Sequence, residues 1–178
     1  IYGVDIKITN DKGKELKRDG SSFGNLWIKG PWICSGYLNI TKSDTHLDDG
    51  WFLTGDVATI DSDGYMQITD RVKDVIKSGG EWISTIEIEN IAVAHPKILE
   101  AAVVGVLHHK WDERPLLIIV AKEEIAKKEV FAYLEDKIAK WWMPDDILFL
   151  NDLPHTATGK VRKVELKKKY KTYLTSKD

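Results

Sequence analysis

Four short stretches combine residue types that packing alone does not call for. In Thr54-Gly55-Asp56 a glycine permits close backbone approach, and the carboxylate after it can accept two hydroxyl protons at once, as a ribose diol requires. Asp70-Arg71-Val72-Lys73 supplies a guanidinium fork for the same ribose or for phosphate oxygens, a geometry that lysine does not reproduce. Ser78-Gly79-Gly80-Glu81-Trp82-Ile83 carries two adjacent glycines, and such a loop lets a narrow ligand run against bare backbone. Asp152-Leu153-Pro154-His155-Thr156-Ala157-Thr158-Gly159-Lys160 is a rigid turn that delivers one lysine from a pliable Thr-Gly. A lysine so placed is a movable cation for charge developing on a phosphate.

Each stretch also has a plainer reading. Gly-Asp is a common turn, and Arg71 would pair on the surface with Asp70 or Asp74. Lys73 and Lys77, four residues apart, would share one solvated helical face. Trp82 belongs to a type found more often in cores than against ligands. Thr-Gly-Lys also ends the phosphate loop of many nucleotide-binding proteins, but the upstream glycine is missing and Leu-Pro-His stands before it. His95, His108-His109 and Asp112-Glu113 match no standard metal-ligand spacing and are expected on surface loops, so no metal site is expected.

The elements that must position these residues follow from periodicity. Val4, Ile6 and Ile8 alternate with Asp5, Lys7 and Thr9 as a half-buried strand, and Asn25 to Lys29 is a second strand closed by Gly30-Pro31. Val57 to Ile60 and Tyr65 to Thr69 flank Asp61-Ser62-Asp63-Gly64 as a hairpin. Beyond the charged segment the character changes. Ser84-Thr85-Ile86-Glu87 has capping-box spacing and predicts a helix from Thr85 to Ala94. Ala101 to Leu107, Leu116 to Ala121 and Ile147 to Leu150 are short apolar runs, as buried strands would be. Phe131, Leu134, Ile138 and Trp141 predict a helix over Lys128 to Trp142, ended by Pro144, and a basic helix follows from Lys163 to Tyr173. The expected class is α+β, with a β-rich piece over 1–70 and a small domain over 71–178, a short sheet flanked by helices.

At 178 residues, 43% hydrophobic and 30% charged, the chain is long enough for two small cores, and a net charge of -2 argues against a nucleic-acid partner. From Lys160 to Asp178 eight basic residues face two acidic ones. The plain expectation for that run is a solvated helix, and the sharper one a landing site for phosphates. Cys34 is the single cysteine, expected as core filler in a cytoplasmic protein. No apolar run is long enough to predict a membrane span. The chain opens at Ile1 within a strand pattern, which is expected of a piece of something longer.

Residues 51 to 84 resemble the joint between the large and small domains of the adenylate-forming acyl-CoA synthetases. Gly24-Asn25-Leu26-Trp27-Ile28-Lys29-Gly30-Pro31, Gly36-Tyr37 and Gly159-Lys160 extend that resemblance in order over the whole chain. Asn25 departs from it, since glutamate is usual there. The resemblance implies that Asp56, with Arg71, binds the ribose of ATP, and that Lys73 is the hinge between two catalytic states. It implies that Lys77, Gly79, Gly80, Glu81 and Trp82 serve the CoA channel in thioester formation, and that Lys160 is the catalytic lysine of adenylation. Gly80-Glu81-Trp82-Ile83-Ser84 is similar to the medium- to long-chain branch, which implies a fatty-acid–CoA ligase. The implied substrates are ATP, fatty acid and CoA, with AMP as product and no tightly bound cofactor in this part. Mg²⁺, the phosphate loop and the acyl pocket would belong to a large N-terminal domain before Ile1, the implied partner, and a homo-oligomer is compatible. By itself the piece would be inactive. Two alternatives stand beside this: a non-catalytic module that binds a nucleotide or a partner protein, and an adenylation domain that loads a carrier protein.

Overall fold

The computed structural model describes residues 2–38 and 49–176. Backbone contacts divide the chain into two compact units, Ile1–Lys73 and Asp74–Asp178, with the division in the charged segment. The architecture is α+β.

The first unit is a four-stranded antiparallel sheet in sequence order: β1 (Asp5–Thr9), β2 (Gly24–Lys29), β3 (Phe52–Ile60) and β4 (Met66–Arg71). Alternation sends Ile8, Leu26, Ala58 and Ile60 into one buried cluster, flanked by Ile6, Leu16 and Ile28. A β-carbon at Gly24 would stand 2.9 Å from both the Ile8 side chain and the Thr9 carbonyl, so only glycine lets β2 approach β1 this closely. The β3–β4 connection is held by Asp61, whose Oδ1 accepts the Asp63 and Tyr65 amides. Cys34 is exposed and not core filler, because it lies in the loop after β2, outside the sheet.

In the second unit β5 (Ile76–Ser78) and β6 (Glu81–Ile83) form a hairpin. Helix α1 (Thr85–Val93), β7 (Ile98–His108) and β8 (Asp112–Ala121) follow, then α2 (Lys127–Glu135), β9 (Asp146–Phe149) and α3 (Lys163–Tyr170). The sheet runs β6-β5-β8-β7, with β9 parallel against β8. Ser84 caps α1 as the sequence predicts, its Oγ accepting the Glu87 amide at 3.3 Å. Leu116 to Ile119 are all fully buried. Leu116, Ile118 and Val120 join a cluster with Ala102, Val104, Leu153 and Leu166, so the alternating Leu117 and Ile119 face the other side.

Two expectations need correction here. The helix predicted over Lys128 to Trp142 ends at Glu135, and Lys140–Trp142 is a separate 3₁₀ turn. Ala139 is extended between them, and Met143, directly before Pro144, is barred from helical torsions (ψ 130°). The break changes which tryptophan is inside: Trp142 is 7% exposed and Trp141 58%. The basic run is not simply solvated either. Lys163 Nζ pairs with Glu89 at 2.7 Å, Lys167 with Glu113 at 2.8 Å and Arg162 with Glu165 at 2.7 Å, while Leu166 is buried beneath them. Lys177 and Asp178, counted in that run, lie outside the described residues.

The break in the helix makes a testable distinction between neighbouring tryptophans. Trp142→Ala is expected to cost about 3–5 kcal/mol of stability and Trp141→Ala less than about 1 kcal/mol, measured by urea unfolding. A larger loss for Trp141→Ala than for Trp142→Ala would mean that the helix is continuous.

Candidate functional site

In the first unit, Asp56 and Arg71 are brought together. Gly55 takes a positive φ of 79° and the β3–β4 register shifts after Val57, so Asp56 sits in a bulged strand and not in the turn that Gly-Asp predicts. Its amide donates to Thr54 Oγ1 at 3.1 Å, and the Val72 amide donates to the Gly55 carbonyl at 3.0 Å. Asp56 and Arg71 are paired across the strands, with Arg71 Nε 3.3 Å from Asp56 Oδ1. The carboxylate side chain is 23% and the guanidinium side chain 61% exposed. The guanidinium therefore pairs with Asp56 across the strands. Lys73 lies in the turn after β4.

In the second unit, Gly79 and Gly80 are the two turn residues of the β5–β6 hairpin, with φ of 58° and 92°. Positive φ at both positions is what a two-residue hairpin turn of the primed type demands. Lys77 and Trp82 are cross-strand partners on that hairpin, the ammonium 5.0 Å from the ring centroid. Lys77 is thus on a strand, and the shared helical face with Lys73 does not exist. Gly79 also donates its amide to the Trp111 carbonyl at 3.1 Å, and a β-carbon on it would come within 2.8 Å of the Trp111 ring.

Beside this turn opens a cavity of about 370 Å³, walled by Gly79, Glu81, Trp111, Arg114 and Trp141. Spacing along the sequence did not single out Trp111, Arg114 or Trp141 as one group, because strand pairing assembles them. Arg114 holds the wall in place. Its Nε donates to Asp145 Oδ1 at 2.7 Å, Nη1 to Ser78 Oγ at 3.3 Å and the Trp141 carbonyl at 2.9 Å, and Nη2 to the Met143 carbonyl at 2.9 Å. With its donors so used, Arg114 orders the pocket and is not a clamp for anions. Glycine backbone and two indoles offer a narrow, largely apolar wall.

Lys160 is exposed on a second hairpin. The Thr156 amide donates to the Lys160 carbonyl at 2.8 Å, the Lys160 amide to Thr156 Oγ1 at 3.1 Å, and His155 bridges to Val161. Gly159, φ 79°, closes the turn. Of the histidines expected on surface loops, His95 is 7% exposed. Its Nδ1 accepts the Lys97 amide at 3.2 Å and its ring meets Tyr133 edge-on at 4.7 Å, a core histidine closing the turn after α1. His108 and Asp112 to Arg114 fall within β7 and β8, which extend beyond the apolar runs that predicted them.

The glycine hairpin and the exposed lysine hairpin stand on one small α+β unit, and residues 87–160 within it match the AMP-binding enzyme C-terminal domain. The chain is 54% identical over 171 residues, 95% of its length, to the medium-chain-fatty-acid–CoA ligase of Ectopseudomonas oleovorans. It is 52% identical over 176 residues, 98% of its length, to the 3-methylmercaptopropionyl-CoA ligase of Ruegeria lacuscaerulensis. It spans 31% and 32% of those two relatives, about a third of each. Among solved structures it resembles ATP-bound MatB from Rhodopseudomonas palustris, with a TM-score of 0.83 at 35% identity over 96% of this chain and 35% of that one. In sequence and fold the chain is similar to a part of these CoA ligases, and it includes a region that matches the C-terminal domain of AMP-binding enzymes.

The contact between Gly79 and Trp111 gives the pocket a double-mutant test. Gly79→Ala is expected to destabilise by about 1–3 kcal/mol through positive φ and crowding. In a Trp111→Ala background the loss should shrink without vanishing, since only the crowding is relieved. Losses that simply add would show that the indole does not constrain the turn.

Proposed function

We propose that this chain is the part of a fatty-acid–CoA ligase that holds the ribose of ATP and carries, on a rotating small domain, the groups for two successive half-reactions. In the first, a carboxylate oxygen attacks the α-phosphorus of ATP and pyrophosphate leaves. In the second, the CoA sulfur attacks the acyl carbonyl and AMP leaves. Asp56 accepts the ribose hydroxyls and Arg71 adds donors beside it. Lys160 stabilises charge on the phosphate during adenylation. The Gly79-Gly80 turn with Lys77, Glu81 and Trp82 borders the pantetheine arm in the second step, and Lys73 is the hinge. Residues 1–70 then belong to the large AMP-binding domain and 71–178 form the mobile one.

One observation carries this. The glycine hairpin joins β8 at its start, where Ser78 pairs with Asp112. The lysine hairpin sits near the other end of β8, where His155 Nε2 lies 3.4 Å from Glu100 Oε2 and Glu100 pairs with Val120. Asp112 and Val120 are eight residues apart on one strand, roughly 27 Å. Loops anchored toward opposite ends of one strand support a separate orientation of the unit for each step.

Relatives of nearly equal identity are named for a medium-chain fatty acid and for 3-methylmercaptopropionate, so the fatty-acid assignment rests on the resemblance of the glycine loop. The three-residue ligand cluster among the described residues does not fit Mg²⁺. Among the described residues Glu100, Asp152 and His155 bring three metal-ligating atoms together, and an imidazole is foreign to the all-oxygen set that Mg²⁺ takes. Because positioning needs both domains, the chain alone is expected to make no acyl-CoA. The described residues include no helix long and apolar enough to cross a membrane, and we place the enzyme in the cytoplasm.

In the full-length enzyme, Lys160→Ala should lower fatty-acid-dependent ATP–pyrophosphate exchange by about 10²–10³. Thioester formation from supplied acyl-adenylate should stay within a few-fold of wild type. Unchanged exchange would remove Lys160 from adenylation, and equal loss of both steps would remove the division of labour.

A further inference from the structure

We propose that Glu100, Asp152 and His155 form a binding site for a zinc-type divalent cation at the base of the Lys160 hairpin. One ligand atom from each residue lies within 4.8 Å of the others, although Glu100 stands on β7 and the other two follow β9. A nitrogen and two carboxylates are a donor set that Zn²⁺ accepts, leaving a fourth position for water.

The Glu100–His155 contact is the second observation. Glu100 Oε2 is fully buried and has no hydrogen-bond partner, although it faces His155 Nε2 at 3.4 Å. A carboxylate oxygen withdrawn from water without a hydrogen bond is costly. A cation between the two atoms removes that cost, and two bonds of about 2.0–2.1 Å at a tetrahedral angle separate their ligand atoms by roughly 3.3 Å. The side chain as a whole is 36% exposed, which leaves an entry path.

The ligands come from anchored backbone. Leu153, between Asp152 and the His155 hairpin, is buried in the cluster that includes Ala102 and Leu166. The Pro154 carbonyl accepts the Arg162 amide at 2.7 Å, and the Leu150 amide donates to the Ile119 carbonyl at 2.9 Å. Only the exposed Asp152 has to swing inward. A bound cation would staple the hairpin to β7 five residues before Lys160. The binding claim stands apart from the proposed function; its consequence for Lys160 rests on it.

The test is a titration of the full, tag-free chain with Co²⁺ followed by its visible d–d bands, then displacement by Zn²⁺. One Co²⁺ per chain is expected, displaced by Zn²⁺, with a Zn²⁺-dependent rise in Tm. His155→Gln and Glu100→Gln should each weaken binding about tenfold or more and abolish the rise, while His109→Gln leaves both unchanged. Asp152→Asn, at an exposed position, should weaken binding without disturbing the fold, and circular dichroism checks each variant. No saturable binding, or folded variants that bind as wild type does, would overturn the site. Loss of Lys160 activity in adenylation would be seen separately, by pyrophosphate exchange.

Discussion

The second unit depends on burying β8 on both faces. A strand with Leu116, Leu117, Ile118 and Ile119 all withdrawn from water must be covered twice, and at roughly 25 cal/mol per Å² each uncovered side chain would forfeit about 1.5–3 kcal/mol. On one face that cover comes from residues distant in sequence: Leu153 before the lysine hairpin and Leu166 on α3. The chain from 153 to 166 therefore has two buried anchors and an exposed hairpin between them. Lys160 is presented to solvent because its flanks are not.

The same strand separates the two loops. Its start receives the glycine hairpin through the Ser78–Asp112 pair, and its end receives the chain returning from β9. A strand is a stiff spacer along its length, so the distance between the loops is fixed by residue number and not by loop conformation. Arg114, near the strand's start, secures that end by joining Asp145, Ser78 and two carbonyls of the segment before Pro144. A lysine there has neither the planar fork nor the donors for that set.

Much of this was legible in the sequence where the signal is local. The Ser84 cap, the apolar runs of β7 and β8 and the β3–β4 hairpin each follow from a few adjacent residues. The glycine pair and Gly159-Lys160 announced pliable turns, and the structure makes both of them hairpin tips. Non-local pairing was not legible. Asp56 and Arg71, expected beside one ribose, do meet, but through a strand register that spacing did not show, and Trp111, Arg114 and Trp141 share a wall only after folding. The expected helix over Lys128 to Trp142 failed because apolar spacing cannot distinguish one long helix from a helix, an extended residue and a 3₁₀ turn that bury Leu134, Ile138 and Trp142. His95 was misassigned because a histidine before proline looks like a loop marker, whereas Tyr133 and the Lys97 amide supply the apolar and polar neighbours that let it sit inside.

The charge at the end of the chain shows why composition alone misleads about function. Counted along the sequence, Lys160 to Asp178 is a cationic run. In the fold, Lys163 is held by Glu89 with both side chains under 20% exposed, and Lys167 is held by Glu113. Glu89 Oε1 also accepts the Val103 amide at 2.6 Å, so that ion pair locks α3 to both α1 and β7. Partly buried pairs of this kind set geometry more than they add stability. Among the described residues, no such carboxylate pairs with Lys160, whose backbone alone is tied down. Arg162, Lys163 and Lys167 are thus paired within the fold, while Lys160 stands exposed at its hairpin.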